Sequence, residues 1–282
     1  MITILGKGVW GHALASLLDE NKQEYVFWDR KSEIDPKSIV IIAIPTQAIR
    51  EVLTKNKNLR RAIIVTSAKG IEKKTHKLPF QVAQEVLGKN IKYLSLYGPS
   101  FAHEVSDKMP TMVNLASIDS DKRLANKIRD LFQTEYFRIK ITSTSQAIEL
   151  AGALKNIYAI ACGISEGLGF NSNTRSQLIG LAYQETRILS KALGHRMSTG
   201  AIDGVMGDLV LTCSTNESRN FRFGKLIVSH KVERALRKIA GTVEGSNNCL
   251  SVDYFVSKTG INMPLAQFVY ETVRNDSPDG VG

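Results

Sequence analysis

The chain has 282 residues, of which 43% are hydrophobic, and it carries a formal charge of +10 from 37 Lys and Arg against 27 Asp and Glu. This length and composition allow substantial buried cores, and we expect two domains. The basic residues are spread along the chain without a nucleic-acid-binding motif, so the charge favours small phosphorylated ligands over nucleic acid.

The cysteines and the hydropathy pattern limit the cellular setting. Three cysteines, at positions 162, 213 and 249, lie far apart and form no CxxC pair. This pattern predicts reduced thiols in a cytoplasmic protein, with neither a disulfide framework nor a metal site such as zinc. No stretch approaches the roughly 18 uncharged apolar residues of a spanning helix, so we expect no integral membrane segment.

The first residues predict a dinucleotide-binding loop. A short apolar strand, residues 2–5, leads directly into Gly6-Lys7-Gly8-Val9-Trp10-Gly11, and a helical pattern of apolar residues follows. In a GxGxxG motif the glycines permit a tight turn, close approach to a pyrophosphate and close packing of helix on strand. The helix N-terminus then presents free N–H groups to the phosphate. Gly6, Gly8 and Gly11 are therefore candidate cofactor-binding residues.

Two charged residues follow the second predicted strand, residues 24–28. Asp29 would accept a hydrogen bond from the 2′-hydroxyl of NAD, whereas Arg30 would pair with the 2′-phosphate of NADP, so the sequence permits either cofactor. The next predicted strand begins at residue 38, after a short connection that contains Pro36. A parallel crossover normally takes about a dozen residues or more, so we expect the usual second helix of the nucleotide fold to be absent.

From residue 38 to residue 141 strand and helix patterns alternate. The predicted strands are 38–44, 62–67, 92–96, 111–116 and 137–141, and the predicted helices are 46–53, 75–87 and 120–132. This alternation predicts a Rossmann-type parallel sheet with helices on both faces. Ligands of such sheets bind beyond the carboxyl ends of the strands, where the glycine loop, Pro45, Lys69 and residues 98–100 all fall.

Residues 145–163 are rich in Ala, Ile and Leu, and this composition predicts a helix that is apolar nearly all round. Ser145 is its predicted N-cap and Gly163 its predicted C-terminal stop. Lys155 lies in its middle without a carboxylate three or four residues away. Two interpretations stay open from these residues. The ammonium reaches water while its stem lies on apolar surface, or it enters a cleft where a partly desolvated lysine exchanges protons near neutrality.

Beyond Lys155 the pattern is helical. The predicted helices are 174–193, 232–240, 249–257 and 265–274, and three polar, glycine-punctuated stretches, 204–209, 216–220 and 243–245, are predicted to lie between helices. Arg219 with its two neighbours could hold a phosphate, or these residues could be a cap or turn. We therefore expect an α/β dinucleotide-binding domain at residues 1–144, followed by an all-α substrate and catalytic domain at residues 145–282.

Seven ordered motifs cover nearly the whole chain. They are GxGxWG at 6–11, Ala-Lys-Gly at 68–70, Gly-Pro-Ser-Phe-Ala at 98–102, Leu-Ala-Gly-Ala-Leu-Lys-Asn at 150–156, Gly-Asp-Leu-Val-Leu-Thr-Cys at 207–213, Ser-Arg-Asn-Phe-Arg-Phe-Gly at 218–224 and Val-Glu-Gly at 243–245. In this order they resemble the bacterial NAD(P)-dependent glycerol-3-phosphate dehydrogenases. One departure is His12, which stands where that family usually has a small hydroxyl residue.

The resemblance implies reduction of dihydroxyacetone phosphate to sn-glycerol 3-phosphate by NADPH or NADH, which feeds phospholipid synthesis. It implies that Lys155 is the proton donor and acceptor. The residues that it implies for substrate binding are Lys69, Gly98, Ser100, Asp208, Ser218, Arg219 and Asn220. Those that it implies for cofactor binding, besides the glycines, are Val9, Trp10, Arg30, Lys69, Ala102, Arg219 and Glu244.

Reduction of a ketone develops negative charge on its oxygen, so such a site needs a positioned acid and fixed cations rather than a nucleophile. Asp208 would orient the Lys155 ammonium, and Arg219 with Asn220 would hold the phosphate. Two rivals stay open: a dehydrogenase of the same two-domain architecture acting on a 3-hydroxy acid, and a non-catalytic nucleotide-sensing module. The sequence does not fix the oligomeric state, and a homodimer stays open.

Overall fold

The computed structural model describes residues 1–29, 32–143 and 145–275. The chain divides into two compact units. The first unit comprises Met1–Lys69, Lys77–Glu149 and Ser198–Val205, and the second comprises Gly70–His76, Leu150–Met197 and Met206–Gly282. Each unit is therefore assembled from segments that are distant in sequence.

The first unit contains a seven-stranded sheet in the order β2-β1-β3-β4-β5-β6-β7. Its strands are β1 (Ile2–Leu5), β2 (Tyr25–Phe27), β3 (Ile39–Ile42), β4 (Ile63–Thr66), β5 (Lys92–Tyr97), β6 (Thr111–Ser117) and β7 (Phe137–Thr142). β1 to β5 run parallel, which confirms the predicted Rossmann-type sheet. β6 runs antiparallel to β5 and parallel to β7, so the sheet is mostly rather than wholly parallel.

Five helices accompany the described strands of this unit: α1 (Val9–Glu20), α2 (Thr46–Lys55), α3 (Pro79–Leu87), α4 (Ala102–Ser106) and α5 (Lys122–Phe132). The reversal between β5 and β6 follows from α4, since this five-residue helix is too short to carry the chain back over a face of the sheet. α3 begins later than predicted because Pro79 suits the first helical position, and the Gln81 side chain accepts a hydrogen bond from the Leu78 N–H at 2.9 Å.

The core of the first unit lies between the sheet and its helices. Leu14, Leu17 and Leu18 on α1 are fully buried, as are Ile4 and Ile41 on neighbouring strands. Between β2 and β3, Trp28, Asp29 and residues 32–38 form no helix. The prediction that the second helix is absent is thus confirmed for the described part of this connection.

The regular elements of the second unit among the described residues are all helices, as predicted for the C-terminal part of the chain, whereas its segment Gly70–His76 forms no helix. After α6 (Ser145–Gly167), whose first residues up to Glu149 belong to the first unit, the chain forms α7 (Ser172–Ala192), α8 (Thr199–Ser214) and α9 (Arg219–Ile227). The residues of α8 up to Val205 also belong to the first unit. It continues with α10 (Val232–Arg237), α11 (Glu244–Asn248), a 3-10 turn at Cys249–Ser251, α12 (Val252–Thr259) and α13 (Pro264–Asn275).

α6 is the central helix of the second unit. Every residue from Ala147 to Ser165 is buried. By length and composition it is the one helix in the described ranges that could cross a membrane, but the 18-residue window that meets this test is completely buried inside the protein. Its apolar character is therefore accounted for by packing within the fold.

Gly163 does not end α6, and this prediction was wrong. A Cβ at Gly163 would lie 2.1 Å from the carbonyl oxygen of Phe221, and a Cβ at Gly224 would lie 2.1 Å from the carbonyl oxygen of Ile160. The backbones of α6 and α9 thus cross at a distance that only glycine allows. Glycine is the residue most typical of a helix stop, so the sequence alone could not reveal this packing role.

All three stretches predicted to lie between helices are also reinterpreted by the structure, and in the third, Glu244 and Gly245 begin α11. Residues 204–209 lie inside α8, where a Cβ at Gly204 would meet the Asn114 amide at 2.3 Å. That amide donates a hydrogen bond to the carbonyl oxygen of Ala201 at 3.0 Å, so Gly204 makes room for a side chain rather than a turn. Residues 218–220 form the N-terminus of α9, a helix that was not predicted.

Candidate functional site

The glycine loop between β1 and α1 has the geometry of a phosphate cradle. Gly6 has φ of +119°, and a Cβ there would lie 2.4 Å from the carbonyl oxygen of Ala43. A Cβ at Gly11 would lie 2.1 Å from the carbonyl oxygen of Gly6, whereas a Cβ at Gly8 would have no atom within 4 Å. The first and third glycines are needed for close packing, and the second leaves open space in front of the helix N-terminus. These residues fit a dinucleotide pyrophosphate.

Val9 and Trp10 form the first turn of α1, directly after this open position. Val9 is 77% exposed, which places an apolar surface beside the loop. The buried indole N–H of Trp10 has no hydrogen-bond partner among the described residues. Arg30, the remaining predicted contact near the ribose, lies outside the described residues.

A second cluster in the first unit joins three residues predicted to bind substrate. Lys69, just beyond β4, donates a hydrogen bond from Nζ to the carbonyl oxygen of Gly98 at 2.9 Å. Ser100 Oγ donates to the same oxygen at 3.2 Å. A Cβ at Gly98 would lie 2.8 Å from Cα of Val113, so β6 requires glycine here. Ala102 follows as the first residue of α4, and the cluster lies at the carboxyl ends of β4 and β5 as predicted.

The Lys155 ammonium is held inside the second unit by two residues of α8. Nζ donates to Asp208 Oδ1 at 2.5 Å and to Thr212 Oγ1 at 2.6 Å. The side chains of Lys155 and Asp208 are only 10% and 6% exposed. A buried cation is tolerated when it is paired and hydrogen-bonded, and both conditions are met here. Lys155 is thus a buried, ion-paired amine, unlike a lysine whose ammonium lies in bulk water.

Thr212 was missed by the sequence reasoning. It lies one helical turn after Asp208, so both side chains project from the same face of α8. The four-residue spacing of Asp208 and Thr212 is visible in the sequence. It places two side chains on one face only in a helix, and residues 204–209 were interpreted as lying between helices.

Asn156, which follows Lys155 in the sequence, forms a buried network with Asn220. Asn220 donates from Nδ2 to Asn156 Oδ1 at 2.9 Å and accepts from the Gly245 N–H at 2.8 Å. A Cβ at Gly245 would lie 2.4 Å from the carbonyl oxygen of Asn156. The network joins the ends of α9 and α11 to α6, and it leaves the second N–H of the Asn220 amide for another acceptor.

The other predicted residues of this unit lie at helix starts. Ser218 is the N-cap of α9, since its Oγ accepts a hydrogen bond from the Phe221 N–H at 3.3 Å. Arg219 is the exposed first residue of α9, and its Nη1 lies 2.4 Å from the position that a Cβ of Gly241 would take. Gly241 therefore leaves room for the guanidinium. Glu244 is the first residue of α11.

A buried carboxyl group near the start of α6 was not anticipated. Glu149 is fully buried, and it accepts hydrogen bonds from Ser95 Oγ at 2.6 Å and from the Phe80 N–H at 3.0 Å. Burial raises its pKa from 4.5 to about 7, although these hydrogen bonds oppose the shift. Ser145 Oγ lies 2.7 Å from the same Ser95 hydroxyl, so two side chains attach the first turn of α6 to β5.

We expect Glu149→Gln to remove a pH dependence of stability. Because the folded pKa is raised, the stabilisation is complete below the unfolded pKa and is lost as pH rises through about 7. Between pH 5 and 8 the wild type should lose roughly 2–4 kcal/mol of unfolding free energy, and Glu149→Gln should lose much less. Urea unfolding at both pH values measures this difference.

Glu166→Gln is the matched control, because hydrogen bonding to Lys225 lowers the pKa of Glu166 and so places its titration below this pH range. It should leave the difference between pH 5 and pH 8 unchanged. An equal pH dependence in wild type and Glu149→Gln would show that Glu149 does not titrate in this range.

The comparisons with known proteins agree along the chain. The profile described as "NAD-dependent glycerol-3-phosphate dehydrogenase C-terminus" matches residues 145–279, and the corresponding N-terminus profile matches residues 1–37 and 29–123. A glycerol-3-phosphate dehydrogenase [NAD(P)+] of Geobacter sp. (strain M21) is 34% identical, over 98% of this chain and 93% of the relative. The chain belongs to the NAD-dependent glycerol-3-phosphate dehydrogenase family.

Solved structures support the same membership. The glycerol-3-phosphate dehydrogenase of Coxiella burnetii superposes with a TM-score of 0.88 at 30% identity, over 98% of this family member and 95% of that chain. The yeast enzyme, from Saccharomyces cerevisiae, gives a TM-score of 0.81 at 20% identity, covering 98% and 96%. A D-mandelate dehydrogenase gives 0.63 at 13% identity, covering 97% of each chain. The last two similarities show a shared fold alone.

Proposed function

We propose that this protein reduces dihydroxyacetone phosphate to sn-glycerol 3-phosphate with NADPH or NADH, and thereby supplies the backbone for phospholipid synthesis. The observation that carries the proposal is the buried Lys155, paired with Asp208 and Thr212, in a chain 34% identical to a glycerol-3-phosphate dehydrogenase [NAD(P)+]. We assign dinucleotide binding to residues 1–144 and substrate binding with catalysis to residues 145–282. Neither rival function is favoured by these relatives.

Lys155 is the proposed proton donor. When bound, the cofactor would supply the hydride that the carbonyl carbon accepts. Nζ of Lys155 donates a proton to the carbonyl oxygen, which becomes the new hydroxyl group. Asp208 and Thr212 hold Nζ in a fixed position. In the reverse reaction the neutral amine accepts the proton from the alcohol. Catalysis of this kind requires a positioned acid, and the buried cluster supplies one.

The remaining candidates have binding roles in this proposal. Lys69, Gly98 and Ser100 contact the substrate, and Ser218, Arg219 and Asn220 hold its phosphate with a cation and several donors. The cofactor contacts are Gly6, Gly8, Val9, Trp10, Gly11, Arg30, Lys69, Ala102, Arg219 and Glu244. The cradle at Gly8 supports the pyrophosphate part of this assignment.

Oxidation of NADPH and NADH with dihydroxyacetone phosphate tests the proposal, with a panel of 3-oxo acids as competing substrates. Turnover with dihydroxyacetone phosphate alone is the expected result. Turnover only with a 3-oxo acid would establish the rival dehydrogenase. Nucleotide binding without turnover of any ketone would establish a sensing module.

Arg219→Ala is expected to raise KM for dihydroxyacetone phosphate by roughly 10- to 100-fold. The physical reason is loss of a charged hydrogen bond to phosphate, which contributes about 1.5–3 kcal/mol. Steady-state kinetics with dihydroxyacetone, which lacks the phosphate, is the control. An equal loss for both substrates would show that Arg219 is not the phosphate anchor.

We propose the cellular location of the enzyme from its free thiols and from its resemblance to the bacterial glycerol-3-phosphate dehydrogenases. All three cysteines are free and buried, which supports a reducing compartment, and we place the enzyme in the cytoplasm. A homodimer stays a prediction, which light scattering of the purified protein tests. Its proposed partners are small molecules rather than nucleic acid.

A further inference from the structure

His12 occupies a distinctive position in the first unit. It lies in the first turn of α1, directly after the last glycine of the phosphate cradle, and it is exposed. Its ring centroid lies 4.8 Å from that of Phe27, with the rings tilted by 50°. Phe27 is the last residue of β2, and its Cε1 lies 3.7 Å from the position that a Cβ of Gly11 would take. The phosphate cradle and the carboxyl end of β2 therefore meet at this ring pair.

The carboxyl end of β2 is where a dinucleotide places the ribose of its adenosine half. β2 is the edge strand of the described sheet and pairs with β1. Asp29 follows Phe27 by two residues and offers a carboxylate to ribose hydroxyl groups. His12 faces β2, so its imidazole lies on the ribose side of the cradle.

The chemistry of the imidazole indicates what it would recognise. A histidine N–H donates a hydrogen bond in the neutral ring, and the protonated ring adds a positive charge. A ribose hydroxyl group would find an acceptor in the Asp29 carboxylate. A phosphate on the 2′ oxygen presents acceptor oxygens and negative charge, and it therefore needs donors and cations. No acidic residue lies in the first turn of α1, so the helix N-terminus also favours an anion there.

We propose that His12 is a cofactor-specificity residue whose imidazole, held against Phe27, donates a hydrogen bond to the 2′-phosphate of NADPH. This inference rests on the proposed function, because it names the form of the cofactor that the same loop prefers. His12 thus selects between two cofactors that share the pyrophosphate and nicotinamide.

Calorimetric titration of the purified full chain with NADPH, NADH and 2′,5′-ADP tests this contact without turnover. His12→Phe keeps an aromatic ring against Phe27 and removes the donor. We expect it to raise the dissociation constants of NADPH and 2′,5′-ADP roughly tenfold, in line with loss of a charged hydrogen bond. The dissociation constant of NADH should change by less than about twofold. His12→Gln restores a neutral donor and should recover part of the loss.

Lys7→Gln is the comparison variant, because Lys7 is an exposed cation between the first two glycines of the cradle. This substitution should weaken the binding of NADPH and of NADH equally. An equal loss for both nucleotides in His12→Phe, or no loss in a variant that melts at the wild-type temperature, would overturn the proposal. Failure of the wild type to bind either nucleotide would overturn the proposed function too. Nucleotide binding without reduction of dihydroxyacetone phosphate would overturn the proposed function alone.

Discussion

Lys155→Met is expected to lower kcat by roughly 10²- to 10⁴-fold while NADPH binding stays close to that of the wild type. The substitution removes the proposed proton donor and keeps an unbranched side chain of similar length in the interior of α6. The phosphate cradle lies in a different unit and is unchanged in sequence. Single-turnover kinetics and nucleotide titration separate the loss of chemistry from any loss of binding.

Two further variants make the result interpretable. Lys155→Met leaves the Asp208 carboxylate buried without its cation, which by itself destabilises a fold by about 3–5 kcal/mol. Combining it with Asp208→Asn removes that charge, so the double variant should be folded and still inactive. Lys191→Met, on an exposed lysine in the last turn of α7, should keep wild-type activity. Retention of more than about a tenth of kcat in Lys155→Met would refute its role as proton donor.

Gly163→Ala should destabilise the second unit strongly. The added Cβ would lie 2.1 Å from the Phe221 carbonyl oxygen and 3.0 Å from Cα of Gly224, and both neighbours are backbone atoms that no rotamer change can move. Overpacking typically costs about 1–3 kcal/mol when side chains relax, so we expect roughly 3 kcal/mol or more here. Urea unfolding of the purified variant measures this loss.

Gly180→Ala is its matched control. Gly180 lies within α7, and a Cβ there would have no atom within 4 Å. Alanine should stabilise this helix by about 0.5–1 kcal/mol, because it restricts the unfolded chain and favours helix. Both substitutions replace glycine with alanine. Opposite changes in the free energy of unfolding would therefore be due to the close crossing of α6 and α9 at Gly163. Equal stabilities for both variants would show that the two helices separate at little cost.

The sequence predicted features that depend on neighbours in the chain. The glycine loop of α1 and the buried character of α6 follow from local spacing and composition, and the structure confirms both. The Lys69 cluster was predictable in position, because parallel strands end at one edge of a sheet. Local rules were sufficient wherever the site follows directly from a strand or a helix start.

The failures share a physical cause, which is contact between segments distant in sequence. Gly163 and Gly204 were interpreted as stops or loops because glycine is typical of both, whereas each makes room for atoms of another segment. Thr212 acquires its meaning only once α8 is recognised as a helix. Neither the Phe27 neighbour of His12 nor the Ser95 partner of Glu149 leaves a mark in local periodicity.

Two buried thiols lie on the helices that carry Lys155 and its partners. Cys162 lies on α6, Cys213 directly follows Thr212 on α8, and both side chains are completely buried. Desolvation raises the pKa of the Cys213 thiol well above its usual range, so little reactive thiolate forms in the closed protein. A thiol reagent therefore reaches these positions only when the protein opens around them. Labelling followed by mass spectrometry, with and without cofactor, therefore reports how readily the two helices that hold Lys155 and its partners become accessible.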